Sequence, residues 1–103
     1  MSKFTKAVES SRLPPGASLC IEVEGEKVAV FNVDGNVHAI ANTCTHRGGP
    51  LSEGAVEGTV VTCPWHGATF DLTTGEAKGP PAPGPVRCYE VRVEGGEIQI
   101  ATP

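Results

Sequence analysis

Two short segments concentrate the side chains able to do chemistry: Cys44-Thr45-His46-Arg47-Gly48-Gly49-Pro50 and Cys63-Pro64-Trp65-His66-Gly67. Each is a knuckle flanked by Gly and Pro. The first offers Cys44-x-His46 and the second Cys63-x-x-His66, with sixteen residues between His46 and Cys63. Two thiolates and two imidazoles are two soft and two borderline ligands, suited to zinc or to an iron–sulfur cluster. Zinc sites of this composition usually group Cys with Cys and His with His. Here each knuckle supplies one of each, which suits a two-iron centre where both loops give a Cys to one iron and a His to the other.

The elements that must position these knuckles read as strands, because turn signals recur every eight to twelve residues. A first strand over Lys3–Val8 meets a break at Leu13-Pro14-Pro15-Gly16. Ser18–Val23 and Lys27–Val33 form a hairpin about Glu24-Gly25-Glu26, and Asp34-Gly35-Asn36 is a second tight turn leading into Val37–Ala41. Positive φ is tolerated by Gly and Asn in such turns. At the far end Val86–Glu94 and Glu97–Ile100 flank Glu94-Gly95-Gly96-Glu97, with Tyr89, Val91 and Val93 expected on one face. Between these groups lies an insertion, about Asn42 to Pro85, holding both knuckles. A strand over Gly58–Thr62 feeds the second knuckle, and Thr69–Leu72 with Thr73-Thr74-Gly75 follows as a hairpin. Gly79-Pro80-Pro81-Ala82-Pro83-Gly84-Pro85 cannot pair in a sheet but makes a stiff covering loop. No stretch keeps a 3.6-residue apolar period, and there is no internal repeat or linker.

Composition sets the frame. With 103 residues, one domain spanning 1–103 is expected, and area scaling gives about 5,500 Å² exposed against about 15,500 Å² unfolded, enough for one core. Thirteen Gly and nine Pro against 5% aromatic residues favour short strands and turns over long helices. No apolar run approaches the roughly 20 residues of a membrane span, and the N-terminus lacks the apolar stretch of a secretory signal. A cytoplasmic location is expected. A net charge of −4 with only 8 Lys and Arg argues against nucleic-acid binding, which draws most of its affinity from phosphate contacts. Without an export signal, four cysteines point to metal binding or catalysis before disulfides.

On these residues the chain resembles the Rieske [2Fe-2S] proteins, whose signature is C-x-H, a spacer of about this length, then C-x-x-H. The resemblance takes in nearly the whole chain and implies an all-β fold: a small antiparallel sandwich or barrel of Rieske type with a two-loop cluster-binding subdomain. It implies one [2Fe–2S] cluster held by Cys44, His46, Cys63 and His66, with the cysteines on a buried iron and the histidines, through Nδ1, on an outer one. Glycines 48, 49 and 67 would let backbone N–H groups approach the cluster sulfurs. With imidazoles replacing two thiolates, the oxidised site is neutral overall and accepts an electron more readily than a four-Cys cluster.

Departures from the high-potential branch are equally informative. Respiratory-type members resemble C-T-H-x-G-C and C-P-C-H-G-S, the extra cysteines joining the loops. Here those positions are Gly49 and Trp65. The Ser and Tyr that donate hydrogen bonds to the cluster correspond to Ala68 and Phe70, which cannot donate. The chain thus looks like the low-potential ferredoxin branch: a one-electron carrier and not itself an enzyme. The implied donor is a flavin-dependent NAD(P)H reductase and the implied acceptor a terminal Rieske oxygenase. No G-x-G-x-x-G or P-loop occurs for nucleotide chemistry of its own, and no mononuclear-iron triad is expected beyond the domain. The alternatives are a small subunit of a nitrite-reductase-like enzyme and a zinc-stabilised interaction module. Outside the motif, Cys20 and Cys88 read as buried inert thiols, His38 as a surface histidine, and Asp34, Glu22, Glu24 and Glu26 as solvated charges. Trp65 reads equally as a docking surface beside His66 or as packing over the loops.

Overall fold

The computed structural model describes residues 3–43, 49–65, 67–78 and 84–102, with the side chains of Lys3 and Thr102 left aside. Ten strands run through these residues: β1 (Lys3–Glu9), β2 (Ser18–Val23), β3 (Glu26–Val33), β4 (Asn36–Ala41), β5 (Ala55–Glu57), β6 (Val60–Thr62), β7 (Thr69–Asp71), β8 (Cys88–Tyr89), β9 (Val91–Glu94) and β10 (Glu97–Thr102). They form three antiparallel sheets, ordered β1-β10-β9, β2-β3-β4-β8 and β5-β6-β7. Short 3₁₀ turns at Ser10–Arg12 and Leu51–Glu53 are the only helical pieces among the described residues. The fold is all-β, as expected.

The four-stranded sheet is the middle layer, and β3 shows why. Its run Val28-Ala29-Val30-Phe31 is buried at every position, as a strand covered on both faces requires. Val28 and Val30 pack with Val23, Ala39, Tyr89, Ile98 and Ile100 toward the β1-β10-β9 sheet. Ala29 and Phe31 point the other way and pack with Ile40, Leu51, Val61, Cys63, Ala68, Phe70, Leu72 and Val86. That second core belongs mostly to the insertion, so the knuckle-bearing segment rests on the back of β3 and β4. Fully burying a side chain such as Phe31 or Phe70 stabilises by roughly 1.5–3 kcal/mol.

The β2–β3 and β3–β4 hairpins turn where the sequence placed them. In the second, positive φ falls on Asp34 (52°) and Gly35 (93°), while Asn36 already belongs to β4. The pair matches a two-residue type I′ turn, whose twist suits the flanking strands.

Two readings need correction. Val86–Glu94 is not one strand. Cys88 and Tyr89 pair with β4, whereas Val91–Glu94 pairs with β10. Glu90 lies between, its carbonyl accepting the Ala101 N–H at 2.9 Å. Because the chain steps from one sheet to another there, Tyr89 is buried while Val93 is 52% exposed. Nor are Cys20 and Cys88 buried; both are exposed. They sit in one row across the middle sheet, Cys20 opposite Ala29, Ala29 opposite Ile40 and Ile40 opposite Cys88. The row is covered at its centre and open at its two ends. The Cys88 thiol donates to the Thr73 carbonyl at 3.5 Å. Desolvation and then the Asp71 charge push its pKa up, so it stays a neutral thiol.

Candidate metal centre

Each knuckle springs from a closed neck. In the first, Thr43 bridges to Pro50, and Asn42 holds both sides together. Its N–H donates to the Lys27 carbonyl (3.0 Å), its own carbonyl accepts from Leu51 N–H (2.7 Å), and its Oδ1 accepts from Ser52 N–H (2.8 Å). Asn42 is the one buried polar residue among those described, 7% exposed, and it ties the knuckle to β3 and to the 3₁₀ turn. The Ser18 hydroxyl adds a bond to the Ser52 carbonyl at 2.7 Å from the neighbouring β2.

The second neck continues the β6–β7 ladder. Beyond the Thr62–Thr69 pair, Cys63 N–H donates to the Ala68 carbonyl at 2.7 Å, and Gly67 N–H donates to the Cys63 carbonyl at 3.1 Å. Gly67 turns the chain at φ +77°, a conformation that suits glycine. Its own N–H is committed to the neck carbonyl. Pro64 and Trp65 project outward, exposed, while Cys63 faces inward at 2% exposure.

The two knuckles meet at Gly49. A Cβ placed on Gly49 would lie 2.6 Å from Cys63 Sγ and 3.1 and 3.2 Å from Trp65 Cγ and Cδ2. Only a bare Cα of the first knuckle fits against the thiol and the indole of the second. Of the four predicted ligands, the structure thus places Cys63, against the first knuckle. Cys44, His46 and His66 lie outside the described residues, as do Arg47, Gly48 and residues 79–83 of the proline loop. Trp65 serves both readings, packed inward on Gly49 and 56% exposed outward. Among the described residues no hydrogen bond engages Cys63 Sγ. A buried, unbonded sulfur in an otherwise apolar pocket fits a soft metal ligand, since a thiolate there needs a cation to offset its charge.

Ala68 and Phe70, the two positions the resemblance singled out, are fully buried in the same core cluster as Cys63. His38 is half-buried opposite Phe31, in the middle sheet. Glu26 is paired with Arg87 at 3.3 Å, whereas Glu22, Glu24 and Asp34 are exposed. Sequence reasoning passed over Asn42 as a mere boundary. A short amide just ahead of a Cys knuckle was the available signal, because Asn readily bonds backbone a few residues on.

Loss of that anchor has a measurable consequence. Asn42→Ala leaves the part-buried Ser52 N–H without its side-chain acceptor, at a cost of about 1–3 kcal/mol where water does not replace it. Thermal unfolding should show a clearly lowered midpoint, and an unchanged midpoint would mean that water or backbone replaces the amide freely.

The Rieske [2Fe-2S] domain profile matches residues 3–90, and the chain belongs to that family. The biphenyl dioxygenase ferredoxin subunit of Pseudomonas sp. (strain KKS102) is 41% identical over 98 residues, covering 94% of this chain and 90% of the relative. The ferredoxin of carbazole 1,9a-dioxygenase from Nocardioides aromaticivorans IC177 superposes with a TM-score of 0.92 at 32% identity, covering 98% of this chain and 99% of that one. A Mycobacterium tuberculosis protein described as a candidate NADH-dependent nitrite reductase small subunit gives 0.88 at 30% identity, covering 100% of this chain and 97% of the other. No helix among the described residues is long and apolar enough to cross a membrane.

Proposed function

We propose that the chain is the ferredoxin component of a Rieske oxygenase system, a cytoplasmic carrier of one electron from a flavin-dependent NAD(P)H reductase to a terminal oxygenase. The observation that carries this reading is the end-to-end match to a dioxygenase ferredoxin, 98% of one chain on 99% of the other. In this reading residues 1–103 are one domain, with the cluster-binding insertion at about 42–85. Cys44 and Cys63 hold one iron of a single [2Fe–2S] cluster, and His46 and His66 hold the other. The cluster supplies a reversible one-electron couple. The chain's own part is to bury the Cys63 side, to hold the two loops in register through Asn42 and the Cys63–Ala68 neck, and to present the other side outward.

Each histidine uses one ring nitrogen for iron, leaving the other edge to face solvent or a partner's acceptor. The docking face is then the tip formed by residues 45–50 and 64–67, with the proline loop beside it. Exposed Pro64 and Trp65 support this. Contacts of this kind are small, below about 1,200 Å², which suits rapid release. Arg47→Glu, beside His46, should slow reduction by the reductase or reoxidation by the oxygenase in stopped-flow assays while leaving the visible spectrum intact. Unchanged half-reactions at low salt, with slowing instead from substitutions in the Glu22–Glu26 hairpin, would move the docking face elsewhere.

The likeness to the nitrite reductase small subunit supports a second reading, a permanent subunit of such an enzyme. Affinity purification from the native cell separates the two. A carrier elutes alone, and a subunit brings a stoichiometric large chain.

A further inference from the structure

Trp65 is the chain's single tryptophan, and its placement is unusual for a residue 56% exposed. Its Cγ and Cδ2 border the same small volume in front of the Gly49 Cα that Cys63 Sγ borders. Cys63 shares its core cluster with Leu51, Val61, Ala68 and Phe70, all fully buried. Beside it, among the described residues, are the Gly49 backbone and the indole that packs on Gly49. Cys63 is only 2% exposed although it lies one residue from an exposed proline and two from an exposed indole.

We infer that Trp65 is a positioning residue that shields the Cys63 sulfur from water, with Gly49 as the spacer that lets the ring come close enough. This rests on the cluster reading above and goes beyond it. Reduction gives the site one negative charge, which water stabilises by hydration and by donating hydrogen bonds to sulfur. Excluding water holds the potential down and keeps solutes from the iron–sulfur bond. Gly49 has a steric role here: any side chain must wedge between sulfur and ring.

The test uses the purified, cluster-loaded protein with Trp65→Phe, Trp65→Ala and Gly49→Ala. Iron and sulfide per chain, reduction potential by voltammetry and bleaching rate under a chelator are measured for each. The shield predicts that Trp65→Ala keeps its iron and sulfide, shifts the potential upward and bleaches several-fold faster. Trp65→Phe, which retains a ring, should stay near the parent in both. Gly49→Ala should resemble Trp65→Ala or lose cluster outright. A loaded Trp65→Ala with the parent's potential and bleaching rate overturns the shield and leaves the cluster reading standing. Parent protein without iron and sulfide overturns the cluster reading itself. Should Trp65→Ala fail to load, the comparison passes to Trp65→Leu, whose smaller apolar cover must fall on the upward side of Trp65→Phe for the shield to hold.

Discussion

Cys63→Ala is expected to yield a colourless protein, its iron falling from about two per chain to near zero. Cys63 is the predicted ligand whose surroundings are defined: buried, without a hydrogen bond at Sγ among the described residues, and close against the opposite knuckle at Gly49. Alanine fits the same core without strain, so the β-sheet scaffold should persist in far-UV circular dichroism even as the cluster is lost. Thermal stability should fall too, because a group bound only by the folded state stabilises that state by linkage. Cys20→Ala and Cys88→Ala supply the internal control. Both thiols are exposed at opposite ends of a sheet row, well apart from the knuckles in sequence, and both variants should keep full colour. Iron retained by Cys63→Ala would remove Cys63 from the ligand set.

The second large effect concerns the potential. Rieske centres span about −150 to +300 mV, and hydrogen bonds to sulfur move a site upward within that range because they favour the more negative reduced state. Ala68 and Phe70 are fully buried in the core cluster that holds Cys63 and carry no hydroxyl. The potential should therefore lie near the lower end, roughly −150 mV. Ala68→Ser and Phe70→Tyr restore the donors and should each raise it, the double variant most. The same variants carry an internal check, since a buried hydroxyl without a partner costs about 1–3 kcal/mol. Hydroxyls that reach sulfur raise the potential with little loss of stability; hydroxyls that miss it lower the melting point and leave the potential alone. A parent value above about +200 mV, in the upper part of that range, would contradict assignment to the low-potential branch.

Much of this was legible because local chemistry and global fold agree. The hairpins at Glu24-Gly25 and Asp34-Gly35 announce themselves through turn residues, whereas burial of Val28–Phe31 on both faces emerges only from the layers packed on β3. The mixed Cys/His knuckles are specific because few ligand sets share that spacing. What stayed hidden depended on tertiary partners. The alternation through Tyr89, Val91 and Val93 continues across Glu90, and nothing local reveals that the chain changes sheets there. Ala55–Glu57 is exposed throughout and has no pattern to read, its strand character coming from the pairing with β6. Cys20 and Cys88 follow their places at the ends of a sheet row, not the average burial of cysteine. The packing of Gly49 between a sulfur and an indole joins two segments that are far apart in sequence, so only the fold could show it.

The most direct test of the central claim is metal and acid-labile sulfide analysis of the purified parent protein alongside its visible spectrum. A red-brown protein with about two iron and two sulfide per chain is the predicted result. A colourless protein with one tightly bound zinc and no sulfide would contradict it.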